Sequence, residues 1–193
     1  MSLTIAIVYA SGGGRTRETA ELCAAAVADA GLSVLGPLCA KGLDPRRLLE
    51  ADGLLLGEPT WGFGTHHFDY RPFDDAMGKV LGPARLLAPR GAAAFVGCDR
   101  AYRTYGTALD LIEQRLLDCG ARLLQRGLKI ELQHTNASRA FTRAWARDFA
   151  LRLRGELPHQ PHLPRPMHAD VDAVMGISPA ERAARNAGGL RAR

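Results

Sequence analysis

The run GLLLGEP, residues 53–59, constrains this chain more than any other stretch. It is apolar without polar alternation, so it does not read as a strand with one wet face. A short apolar run of this kind fits a strand buried on both sides, as in the middle of a parallel sheet. Parallel strands need crossover connections, and the flanking sequence supplies them. LTIAIVY (3–9) reads as a first strand. Thr16–Asp29 reads as a helix with Ala20, Cys23, Ala24, Val27 and Ala28 on one face, ended by Gly31. SVLGPL (33–38) is a weak second strand broken by Gly36 and Pro37. Asp44-Pro45 is an N-cap followed by proline at the first helical position, and a short helix runs from there to Glu50.

After the third strand, Pro72–Leu81 is a helix, GAAAFVG (91–97) a fourth strand, and Tyr105–Cys119 an amphipathic helix with Ala108, Leu109, Ile112, Leu116 and Cys119 inward. LLQRGLKIEL (123–132) contains a fifth strand. Arg139–Arg154 is the last helix, with Phe141, Trp145, Phe149 and Leu153 on one stripe. The expected fold is α/β: a doubly wound five-stranded parallel sheet with helices on both faces, over residues 1–154, with right-handed crossovers. At 193 residues and 47% apolar content, the chain holds one such domain and an appendage. The appendage, 155–193, has prolines at 158, 161, 164 and 166, which predict an extended arm, and Ser178-Pro179 opens a possible short helix. The arm is a candidate for self-association. His159, His162 and His168 lack the spacing of a metal site.

Composition excludes several classes. A net charge of +5 with scattered basic residues argues against nucleic acid. No apolar stretch is long enough to span a membrane, and the first strand has no basic leader before it. Cys23, Cys39, Cys98 and Cys119 are widely spaced, without a CxxC or a zinc pattern. The expectation is a cytoplasmic chain with free thiols.

Ligands in such sheets sit beyond the carboxyl ends of the strands, and three loops there carry chemistry. Ser11-Gly12-Gly13-Gly14-Arg15-Thr16 follows the first strand. It is neither GxxxxGK[ST] nor GxGxxG, and no acid stands near Leu38-Cys39 to hold a ribose. What remains is a nest of backbone N–H groups, two hydroxyls and the positive end of a helix, suited to a terminal phosphate. Gly57-Glu58-Pro59-Thr60-Trp61-Gly62-Phe63-Gly64 follows the third strand, where a tryptophan among glycines offers a stacking face. Gly97-Cys98-Asp99-Arg100-Ala101-Tyr102 follows the fourth and places a second aromatic opposite. Together they ask for one phosphate and one large flat ring, which FMN combines. His66 and His67 read as polar residues on an exposed loop. His134 and Asn136 read as an ordinary turn.

Here the sequence resembles the flavodoxins. Ser11, Gly14 and Thr16 match their phosphate loop T/S-x-T-G-x-T, and Glu18 matches its early glutamate. Gly13 stands where a hydroxyl is usual. Pro59-Thr60-Trp61-Gly62 is similar to the family's S-T-W-G, and Asp99-Arg100-Ala101-Tyr102 to its G-D-x-x-Y. The resemblance covers residues 3–153 and is of the short-chain type. It implies an FMN-binding protein whose cofactor contacts are Ser11, Gly12, Gly13, Gly14, Arg15, Thr16, Pro59, Thr60, Trp61, Gly62, Phe63, Gly97, Cys98, Asp99 and Tyr102. It implies a one-electron carrier between a reductase donor and an acceptor enzyme, working through a neutral flavin semiquinone, with no catalytic residue. Two alternatives stay open: an NAD(P)H-dependent quinone or nitro reductase, and a flavin-free interaction module. Flavodoxins are usually acidic, whereas residues 1–154 carry 20 basic and 16 acidic side chains. That difference predicts a less extreme low potential and a partner with an acidic or neutral docking face.

Overall fold

The computed structural model describes residues 2–62 and 64–160. Strands β1 (Thr4–Tyr9), β2 (Ser33–Cys39), β3 (Gly53–Pro59) and β4 (Gly91–Cys98) pair in the order β2-β1-β3-β4, all parallel. Two short strands, β5 (Arg122–Leu123) and β6 (Leu128–Glu131), both pair with β4. The expected single fifth strand is thus interrupted. Leu124 N–H still donates to Ala92 O, residues 125–127 leave the ladder, and the chain rejoins β4 further along. The helices are α1 (Arg15–Asp29), α2 (Arg71–Val80), α3 (Thr107–Asp118) and α4 (Asn136–Leu153), with a short 3-10 helix at Pro45–Glu50. The Asp44 side chain accepts from Arg46 N–H at the start of that 3-10 turn, as its sequence predicts.

The sheet is buried on both faces. Leu54, Leu56, Ala92, Ala94 and Val96 face one core, built with Phe73 and Met77 of α2 and Leu109, Ile112 and Leu116 of α3. Leu55, Ala93 and Phe95 face a second core with Cys23 and Val27 of α1 and Phe149 of α4. The period-2 geometry of a strand sends alternate residues to opposite cores, so the middle of β3 and β4 is apolar on both faces. Gly57 is small because the Phe95 ring fills the space: a Cβ there would fall 2.2 Å from it.

Four local expectations need correction. In β2 the register against β1 slips by one residue between Leu35 and Leu38, so the Gly36-Pro37 pair makes a bulge within a strand that runs on to Cys39, rather than breaking it. α3 begins at Thr107, because Gly106 is left-handed with φ +67° and leaves Tyr105 outside the helix. α4 begins at Asn136 behind a capping box in which Thr135 and Ser138 satisfy each other's backbone N–H groups. Phe141, expected on the buried stripe of α4, is 61% exposed, and Ala28 on α1 is exposed too.

The strand order reverses at β1 and β3: the chain leaves β1 outward to β2 and returns past it to β3. The loops after β1 and β3 therefore diverge and leave a crevice at the carboxyl end of the sheet, which is where such folds bind ligands. Residues 155–160 leave α4, and Gln160 N–H donates to Leu124 O while its side chain accepts from Arg126 N–H. His162, His168, most of the arm and its expected short helix lie outside the described residues. Among the described residues no group of His, Cys, Asp or Glu can hold a metal ion.

Candidate functional site

The crevice is a cavity of about 880 Å3, within the size range of small-molecule sites. Its two ends differ in chemistry. At one end the chain turns from β1 into α1 through Ser11–Gly14. Gly14 is the N-cap, left-handed at φ +83°, a conformation that other residues adopt only with strain, and no side chain caps the helix. The first N–H groups of α1 thus lack intrahelical partners, the arrangement that suits an anion. Thr16 is buried beneath them. Among the described residues, Ser11 Oγ and Thr60 Oγ1 are buried with no hydrogen-bond partner. A buried hydroxyl left unpaired costs about 1–3 kcal/mol, and both of these residues line the cavity, which makes their hydroxyls candidate ligand contacts. Arg15 extends across the mouth toward Leu132 O at 3.5 Å. Arg17 turns away and pairs with Glu21.

At the other end two aromatic side chains stand open: Trp61 is 48% and Tyr102 64% exposed. Trp61 sits in a tight turn closed by Thr65 N–H to Trp61 O. Gly62 and Gly64 in that turn have φ +53° and +86°. Tyr102 N–H donates to Asp99 O, and Asp99 Oδ1 accepts from Ala101 N–H, which folds the loop after β4 toward the cavity. Cys98 lines the wall, and burial pushes its thiol above the ordinary value.

The loop between β3 and α2 is held from behind by a buried ionic cluster that the sequence reading missed. Glu58, fully buried at the end of β3, accepts from the His66 ring and from His67 N–H. His66 Nε2 lies 3.5 Å from Asp74 Oδ2, and Arg115 of α3 binds that oxygen at 2.8 and 2.9 Å. Burial disfavours charge on His66, but Glu58 and Asp74 outweigh it and hold the imidazole above its usual range. Burial likewise raises Glu58. The expectation of two exposed loop histidines is therefore wrong. His67 has no exposed surface and His66 is mostly covered. His134 is also buried, hydrogen-bonded to Thr19 at 2.8 Å, rather than lying in an ordinary turn. One signal pointed to the cluster: a glutamate within a strand otherwise fit for burial on both faces.

The structure brings thirteen of the fifteen expected site residues to the cavity wall: Ser11, Gly12, Gly13, Arg15, Thr16, Pro59, Thr60, Trp61, Gly62, Gly97, Cys98, Asp99 and Tyr102. Gly14 acts behind the wall as the helix cap. Phe63 lies outside the described residues. Four wall residues were not anticipated: Phe68, Thr104, Tyr105 and Leu132. Tyr105, expected to pack inward at the head of a helix, instead lines the cavity with Lys129 Nζ 5.0 Å from its ring centre.

The sequence model of the family described as Flavodoxin matches residues 7–145. The chain belongs to the flavodoxin family. It is 34% identical over 132 residues to the flavodoxin of Nitratidesulfovibrio vulgaris (strain DSM 19637 / Miyazaki F), covering 66% of this chain and 84% of that one. It is 29% identical over 157 residues to a putative diflavin flavoprotein A 5 of Nostoc sp., covering 79% of this chain. It spans only 25% of that longer relative. Among solved structures, oxidised Flavodoxin 2 from Bacillus cereus superposes with a TM-score of 0.69 at 31% identity, covering 80% of this chain and 99% of that one. Oxidised Flavodoxin 1 from the same organism gives 0.70 at 28%, covering 76% and 96%. FMN is the cofactor of flavodoxins, and electron transport is their role. The residues present fit it: two orphaned hydroxyls and a glycine nest for the phosphate, and two open aromatic faces for the ring. Among the described residues no helix is long and apolar enough to cross a membrane.

Proposed function

We propose that this chain is an FMN-dependent one-electron carrier between redox proteins. The observation that carries the reading is that one cavity is lined both by Ser11 and Thr60, whose hydroxyls are buried without a partner among the described residues, and by Trp61 and Tyr102, whose rings are exposed. Bound there, FMN supplies a ring that takes up and releases electrons singly. The chain supplies position and field. Ser11–Thr16 and Thr60 bind the phosphate. Trp61 and Tyr102 clamp the ring and exclude water from its faces. A turn of the backbone at Trp61-Gly62 would offer a carbonyl to the N5 edge of the ring, and glycine at position 62 would allow that turn at little cost. No nucleophile, acid or base is required. Arg15 lines the cavity, and Arg100 and Arg103 flank Tyr102 in sequence, with Arg100 paired to Glu131. A rim less negative than is usual stabilises the reduced anionic ring, so the low-potential couple is less extreme, and it favours a partner with an acidic or neutral docking face.

Residues 1–154 form the FMN unit, and 155–193 an extension. Stepwise anaerobic reduction of the purified protein tests the reading. The expected result is extractable FMN and an absorbance phase of the neutral one-electron-reduced flavin, with no oxidation of NADPH by the protein alone. Two-electron reduction without that phase, or direct turnover of NADPH, contradicts it.

A further inference from the structure

A third buried polar atom without a partner lies at the phosphate end: His67 Nε2. Unlike Ser11 and Thr60, His67 does not line the cavity. Its ring stands behind the wall, edge-on to Trp61 with 5.1 Å between centroids and tilted on Phe68 at 4.0 Å. Asp69 N–H donates to Nδ1 at 3.3 Å, so the neutral ring carries its proton on Nε2. Nε2 faces Gly12: a Cβ added there would stand 3.2 Å from it. Any side chain at position 12 pointing this way would crowd the imidazole. Glycine leaves Nε2–H against the backbone of the anion nest.

We infer that His67 is a positioning residue of the phosphate site, set behind Gly12 so that anion binding in the nest and proton binding by the imidazole reinforce each other. This rests on the FMN reading above and adds a pH dependence to it. The charged groups around the ring are few. Asp69 Oδ2 is 4.0 Å from Nδ1 and is itself 3.6 Å from Lys41 Nζ. The Glu58 carboxylate takes the His67 backbone N–H. On the Gly12 side stand the positive end of α1 and Arg15. Trp61 and Phe68 are uncharged.

In the flavin-free chain, burial holds His67 below the ordinary imidazole value, with Asp69 opposing. A phosphate dianion on the Gly12 side adds an opposite charge, which favours the imidazolium. By linkage, FMN then binds more tightly as pH falls through the window between the free and bound pKa values. Protonation of the phosphate itself, near pH 6, acts in the reverse direction, so the window to examine lies above it. Riboflavin, which lacks the phosphate, has no such coupling.

The test is a pH titration of the His67 ring by NMR in the flavin-free, riboflavin-bound and FMN-bound chain, together with FMN affinity at pH 8.5 and 6.5. FMN, and not riboflavin, is expected to raise the His67 pKa by about one unit. FMN affinity is expected to tighten from pH 8.5 to pH 6.5, by less than the roughly tenfold factor that a one-unit shift allows, and His67→Gln to abolish that change. A His67 titration identical with the two flavins overturns the inference, as does an unchanged pH dependence in His67→Gln. The NMR arm needs only the native chain, so it decides even where the variant does not fold. A chain that binds no FMN at all overturns the carrier reading, and the inference with it.

Discussion

The phosphate end and the ring end of the cavity are built on opposite plans. At the phosphate end the functional groups are buried and wait without partners: Ser11 Oγ, Thr60 Oγ1 and, one layer back, His67 Nε2. At the ring end they are exposed and already folded into turns, with Trp61 and Tyr102 about half or more in solvent. Unmet buried donors gain most from a charged ligand, because charge-assisted hydrogen bonds out of water are the strong ones. Open aromatic faces contribute less to affinity but leave a ring edge within reach of another protein. The difference teaches a division of labour: one end fixes the cofactor, the other exposes it for exchange.

The two ends are joined by the loop between β3 and α2, and the largest expected effect comes from cutting its anchor. Glu58→Ala leaves His66 buried without its main partner, and removing one member of a buried pair typically costs about 3–5 kcal/mol. Chemical denaturation is expected to show a loss of that order, with FMN and riboflavin affinity falling together. Selective loss of FMN alone would mean that the anchor serves only the phosphate end. Ser11→Ala and Thr60→Val test that end directly. Each removes a hydrogen bond to a charged group, worth about 1.5–3 kcal/mol, so FMN affinity is expected to fall roughly tenfold to a hundredfold while riboflavin affinity stays. Equal losses for both flavins would erase the distinction between the ends. Tyr102→Ala is the complementary cut: loss of stacking at about 0.5–1.5 kcal/mol weakens both flavins by the same few-fold factor.

The smallest effect is on stability against pH. His66 is held above its unfolded value of 6.5, so the folded state binds the extra proton. The stability this contributes is complete below about pH 6.5 and is lost as pH rises through the folded value. His67 and His134 are shifted down and act in the opposite sense, below that window. Thermal melts from pH 6.5 to 8.5 are expected to show a modest fall in Tm that His66→Asn removes. A flat profile in the native chain would place His66 outside the anchor.

Much of this was legible in the sequence because the site is local. Each of the three loops follows its own strand, and glycines beside a single aromatic betray a backbone that approaches a flat ligand. The two buried faces were legible in GLLLGEP for a similar reason: its leucines run on without polar alternation, and Glu58 near its end is the one exception. The anchor was not legible, because it joins Glu58, His66, Asp74 and Arg115 from three separate elements. Nothing in His66-His67 distinguishes two neighbours whose environments are opposite, one facing carboxylates and the other the glycine nest. Phe141 failed for a different reason: the covered stripe of α4 runs through Thr142, Ala146, Phe149 and Ala150, so Thr142 takes the buried place and its neighbour Phe141 turns outward.

The central claim is that affinity resides in the phosphate end. Dissociation constants of the flavin-free chain for FMN and riboflavin at pH 7.5, read by quenching of tryptophan fluorescence, test it most directly. Two charge-assisted hydrogen bonds from Ser11 and Thr60, with the helix terminus behind them, predict that FMN binds at least about a hundredfold tighter. Equal affinity for the two flavins would contradict the account.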